Sequence, residues 1–131
     1  MPLRGFIDGV AKGLLMKIVK YRLQREASSV AEFSVSMATT ILTRARGLLF
    51  KTALGNDQAM LIAPCNSVHT YFMGYRLDVV FLDKERKIMR IIEGVKPWRF
   101  ATHFKAKQVI EFKAGVVAQT GMAVGDVFSE C

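Results

Sequence analysis

Between Ser67 and Phe112 the chain repeats one pattern: short apolar runs too brief for helices, separated by turn residues. SVHTYFM, DVVFLD, KIMRIIE and QVIEF each span only four to eight residues, and such runs read as strands. Earlier, Phe33, Val35 and Met37 alternate with Ser34 and Ser36, the period of a half-buried strand. AMLIAP adds another strand, stopped by Pro64. Strands that short cannot bury their faces singly, so the chain must build a sheet and cover it.

Helical signals are fewer. ILTRARGLLF, behind Thr39 or Thr40 as a cap, places Ile41, Leu42, Ala45, Leu48 and Leu49 at helical spacing and predicts a short helix to Phe50. Residues 114–119 predict one helical turn ending at Gly121, and Gly125-Asp126 leads to a last strand through Val127 and Phe128. Asp83 to Lys87 is expected to be a tight turn. The expected fold class is α+β and mostly β. It would be a small, partly closed, barrel-like sheet of five to seven short strands with one or two short helices.

The N-terminal region reads differently. Residues 1–25 carry six cations against Asp8 alone, +5 of the chain's total of +8. VAKGLLMKIVKYRLQR, residues 10–25, places Val10, Leu14, Ile18 and Tyr21 on one arc of a helical wheel, which predicts an extra amphipathic helix. Its lysines break every apolar run far below the roughly 20 residues needed to span a bilayer, and they disfavour a cleaved export signal. The boundary is placed near Ser29. Residues 1–28 form a basic extension for attachment to a protein partner, a twin subunit or an anionic membrane surface, and residues 29–131 form one β-rich domain. The expected location is cytoplasmic, or peripheral to a membrane. Nucleic acid is not an expected partner, because no basic stripe interleaved with aromatics is read in the main body.

The ordered pieces TRARGLLF, AMLIAPCNSVHTYFM, LDVVFLD, KPW, VIEFKAG and MAVGDVF resemble the bacterial and archaeal family called domain of unknown function 192. The resemblance runs from about Phe33 to Phe128 and implies a small β-rich domain, with no activity to carry over. Its pattern falls on Arg46, Gly47, Leu48, Met60, Pro64, His69, Thr70, Met73, Asp78, Phe81, Glu111, Gly115, Gly125 and Asp126. Where many members have a turn glycine after the strand ending at Asp83, this chain has Lys84-Glu85-Arg86.

Candidate site residues centre on His69. If residues 67–73 are extended, Ser67, His69, Tyr71 and Met73 share one face, and a hairpin through Gly74 to Leu77 with Met73 opposite Asp78 would add Asp78. A one-residue slip removes it. The function read from these residues is a binding or interaction module for a protein partner or small ligand, with Arg46, His69, Thr70, Tyr71 and Asp78 as candidate contacts. The alternative is a hydrolase-like or metal-assisted enzyme using His69 with Asp78, Tyr71 or Cys65.

Other constellations are weaker. Cys65 and His69 would stand about 13 Å apart along a strand, too far for a nucleophilic pair unless Asn66-Ser67 folds the chain back. Cys65 and the terminal Cys131 are not an expected disulfide. The scattered ligands His69, Asp78 and Cys65 do not make a metal motif, and no cofactor is implied. Glu111 with Asp126 could form an acid pair, although a carboxylate beside a glycine turn more often caps backbone N–H groups.

Overall fold

The structure is a computed structural model and describes residues 17–38, 54–70 and 74–131. Nine strands and one short helix follow along these residues. The strands are β1 (Lys17–Arg25), β2 (Ser28–Ala38), β3 (Gln58–Ile62), β4 (Ser67–His69), β5 (Leu77–Leu82), β6 (Ile88–Val95), β7 (Phe100–Thr102), β8 (Gln108–Lys113) and β9 (Val127–Glu130). The helix, α1 (Val116–Thr120), lies between β8 and β9. Seven strands form one sheet in the order β6-β5-β8-β3-β2-β1-β9, and β4 and β7 pair as a separate two-stranded ribbon.

The mostly-β α+β class is as expected, but the ladders do not close into a barrel. The two ends of the sheet come together at an isolated bridge between Lys87, just before β6, and Val127 of β9, without a continuous ladder among the described residues. Beside it, the Phe128 N–H donates to the Arg86 carbonyl at 3.0 Å and the Ile88 N–H to the Asp126 carbonyl at 2.8 Å.

The helix expected over residues 10–25 is corrected from Lys17 onward, where the chain is β1; residues 10–16 lie outside the described residues. Val19, Tyr21 and Leu23 alternate inward, and Tyr21 and Leu23 are buried in the core. β1 is paired on both edges, to β2 and to β9, so the tertiary ladder overrides a weak helical wheel. Ser29, the expected boundary, lies inside β2 opposite Gln24. The helix expected over 40–50, with Leu48 and Leu49, falls outside the described residues.

The main sheet is covered on both faces, which explains why β5, LDVVFL, is buried at all six positions. One face packs Tyr21, Phe33, Val35, Val80, Ile110 and Phe112 against Val116 and Val117 of α1 and against Phe128. The Phe33 and Phe112 rings meet edge to face at 4.8 Å. The other face packs Val79, Phe81 and Val109 against Val68 and Ala101 of the ribbon, and His103 lies tilted over Phe81 at 5.9 Å.

Turn chemistry fits this frame. The Asp83 carboxylate accepts the N–H groups of Glu85 at 2.8 Å and Lys87 at 3.0 Å, and Arg86 takes φ +65°, the conformation a glycine would adopt without strain. The turn expected from Asp83 to Lys87 is present between β5 and β6 and is held by the Asp83 carboxylate.

Candidate functional site

Register decides which predicted site residues can meet. β5 and β8 pair with Asp78 opposite Phe112 and Val79 opposite Glu111. Directly opposed residues share a face and successive residues alternate, so Asp78 points to the α1 face and Glu111 to the ribbon face.

Asp78 is 1% exposed and its two oxygens are engaged by backbone. Oδ1 accepts the Gly94 N–H at 2.9 Å, and Oδ2 accepts the N–H groups of Gly115 and Val117, both at 3.0 Å. It thus caps α1 from a neighbouring strand, replacing the missing side-chain cap at Gly115, whose φ of +99° turns the chain into the helix. Of the two registers left open, the one that would bring Asp78 beside His69 is not formed by β5, which pairs with β6 and β8, while β4 pairs with β7 in the ribbon; Met73 lies outside the described residues. Asp78 and His69 therefore belong to separate layers.

His69 is half-buried and stands opposite Phe100, on the side of the ribbon away from Val68. Thr70 is fully buried and organises the next turn. Its hydroxyl donates to the Lys96 carbonyl at 2.6 Å, lies 3.2 Å from the Arg99 carbonyl, and accepts the Arg99 N–H at 2.8 Å. Its backbone exchanges hydrogen bonds with Arg99 and Trp98. Thr70, read as a ligand contact, is a clasp on the Lys96–Arg99 turn. The Cys65 thiol donates to the Ser67 carbonyl at 3.0 Å. Arg46 and Tyr71 lie outside the described residues.

The proposed acid pair also separates. Asp126 takes a bidentate grip from Arg25, with Nε and Nη2 both donating at 2.9 Å, and accepts the Ala123 N–H at 2.9 Å. Hydrogen bonding to Arg25 holds the Asp126 carboxyl below the usual carboxylate range, against the opposing effect of burial. Glu111 is fully buried on the ribbon face opposite Met60 and Val79. Burial pushes the nearby Tyr75 phenol up, and the Glu111 charge adds to the effect. Among the described residues, no group of three or more His, Cys, Asp and Glu side chains could hold a metal ion.

What the sequence reading missed is the ribbon itself. Trp98, Phe100 and Phe104 are 57%, 62% and 87% exposed. They belong to KPWRFATHFKAK, residues 96–107, where Lys96, Arg99, Lys105 and Lys107 are also exposed and no acidic residue occurs. This is the interleaving of basic and aromatic residues described above as lacking in the main body. The signal was present in the sequence. The pattern of β7 conceals it, because only Ala101 of Phe100-Ala101-Thr102 turns into the core.

No helix among the described residues is long and apolar enough to cross a membrane. The fold is shared with a crystal structure of a protein of unknown function from Novosphingobium aromaticivorans, which is 23% identical with a TM-score of 0.75 and covers 87% of this chain and 86% of its own. A Sinorhizobium meliloti protein, described as a candidate transcription regulator, matches at 20% identity with a TM-score of 0.78 over 88% of this chain and 95% of its own. In sequence, the chain is 34% identical over 98 residues to a UPF0127 protein of Thermococcus sibiricus, covering 70% of this chain. The match spans 62% of that relative and 63% of a second one from Thermococcus kodakarensis, less than two thirds of either. The model of the DUF192 family (Uncharacterized ACR) matches residues 22–129, from β1 to β9, and the chain belongs to that family.

Proposed function

We propose that this domain is a binding module whose partner docks on the outward side of the β4–β7 ribbon. The observation that carries this reading is the exposure of Trp98, Phe100 and Phe104 within seven residues of sequence. A buried aromatic side chain contributes about 1.5 to 3 kcal/mol relative to an exposed one, so the fold forgoes that stabilisation three times on one ribbon. Grouped exposed aromatics of this kind mark interaction surfaces.

The turns that carry them are built rather than loose. Thr70 clasps the turn at Trp98, and the turn at Phe104 is tied by the His103 N–H to Asn66 carbonyl bond at 2.9 Å and the Ala106 N–H to His103 carbonyl bond at 2.9 Å. Preorganised contact residues lose little entropy on binding. The enzyme reading that relies on Asp78 receives no comparable support, since that carboxylate is already committed to three backbone N–H groups on the opposite face.

A photo-crosslinking residue at position 100, compared in cells with one at exposed Glu85 in the turn after β5, tests the proposal. Adducts specific to position 100, whether to protein, nucleic acid or lipid, are expected. Equal or absent adducts at the two positions would overturn it.

A further inference from the structure

We infer that the occupant of this ribbon is the surface of an anionic lipid bilayer, with the ring of Phe104 inserted between headgroups. The inference rests on the proposed binding role of the ribbon and names its partner.

Charge complementarity fixes the sign of the partner. Between Gly94 and Ile110 every ionised side chain is a cation, so nothing on the ribbon repels phosphate headgroups. Lys105 follows Phe104 directly, and Lys107 stands two residues further on. Their long stems can lie along an inserted ring while the ammonium groups stay among the phosphates.

The shape of the aromatic set separates bilayer from nucleic acid. Single-stranded nucleic acid is held by bases stacked along a series of ring faces that track a basic groove. At 87% exposure, the Phe104 ring is bare on both faces and stands out at the tip of a turn, a poor platform but a ready wedge. Trp98 stands in the turn before β7 and Phe100 on the strand itself, so the three exposed rings lie on β7 and the two turns that flank it. Indole and phenyl rings presented beside cations are the composition of proteins that sit at the headgroup level. The Asn66 side-chain amide, donating to the Phe104 carbonyl at 3.3 Å, helps hold the tip in its outward position.

Trp98 is the only tryptophan, so its emission reports on the ribbon without labelling. The full chain would be mixed with vesicles of phosphatidylcholine alone, and with vesicles containing added phosphatidylglycerol, at low and high salt. Expected results are co-sedimentation with the anionic vesicles only, weakening at high salt, a blue shift of Trp98 emission, and quenching by lipids brominated in the acyl chain. Phe104→Ser should weaken partition roughly tenfold to a hundredfold. Lys105→Gln with Lys107→Gln should weaken it about 25-fold at low salt. These positions are exposed, and unchanged melting temperatures would confirm intact folding.

Failure to bind anionic vesicles would overturn the inference. So would vesicle binding that survives both sets of substitutions, which would assign attachment to the basic N-terminal segment. A Trp98 response to single-stranded DNA, with no response to vesicles and lost in Phe104→Ser, would overturn the lipid assignment while leaving the ribbon as the binding surface. Adducts absent at position 100 in the crosslinking experiment would remove both.

Discussion

Arg25, at the end of β1, grips Asp126, just before β9, through two hydrogen bonds of 2.9 Å that join residues 101 positions apart. A third bond runs from Arg25 Nη2 to the Gly121 carbonyl at 2.8 Å, and the Asp126 carboxylate also holds the Ala123 N–H. The loop between α1 and β9 is thereby fixed against the N-terminal strand.

This pair sets an acid limit on stability. The Asp126 carboxyl is held below its ordinary value in the folded state, chiefly by the hydrogen bond from Arg25. Unfolding restores a carboxyl of about 3.9. The stabilisation is therefore fully present above that value and is lost as pH falls through the lower folded value. Thermal melts across the acid range should show this loss, and Arg25→Met should flatten that part of the profile.

Asp78→Ala should destabilise the domain by about 2 to 5 kcal/mol, because it leaves the N–H groups of Gly94 and Gly115, and the buried N–H of Val117, without their acceptor. Asp78→Asn should cost less, since one amide oxygen can still accept. Denaturant midpoints measure both. An Asp78→Ala protein as stable as the parent would show that the carboxylate does not cap α1.

Thr70→Val removes the hydroxyl that bridges Lys96 and Arg99 while keeping shape and volume. A loss of about 1 to 3 kcal/mol is expected. The turn should also loosen at Trp98, which adopts φ +61° there, so its fluorescence anisotropy should fall in the folded state.

Phe112 is fully buried between Phe33 and Phe128, with ring centroids at 4.8 and 6.1 Å. Phe112→Ala should cost about 3 to 5 kcal/mol through the cavity it leaves. An unchanged melting temperature would contradict the core assignment.

Deleting residues 1–25 should prevent folding, since β1 fills the position between β2 and β9 and buries Tyr21 and Leu23. Circular dichroism of the truncated chain checks this. A folded truncation would show that β1 is dispensable and restore the reading of this region as a detachable extension.

Local pattern alone was enough for the elements whose partners reinforce their intrinsic period. Phe33 and Val35 alternate inward as written, β3 stops before Pro64, β5 reads as an apolar strand interrupted by Asp78, and α1 ends at Gly121. Ladder partners lie too far away in sequence to be read, and they decided the rest. Lys17–Arg25 fits a loose helical wheel and a strand about equally well, and its pairing with β2 and β9 settles it. Asp78 and His69 are nine positions apart, yet they part company because β5 joins β8 while β4 joins β7. The sequence by itself determined that Asp126 is a carboxylate beside a glycine turn, that Asp78 opens an apolar run, and that KPWRFATHFKAK mixes cations with aromatics. Only the tertiary structure decided that Asp78 caps α1, that Asp126 is gripped by Arg25, and that Trp98, Phe100 and Phe104 are exposed. A side chain's surroundings depend on which distant strand lies beside it, and the sheet's period of two converts each register into one face or the other.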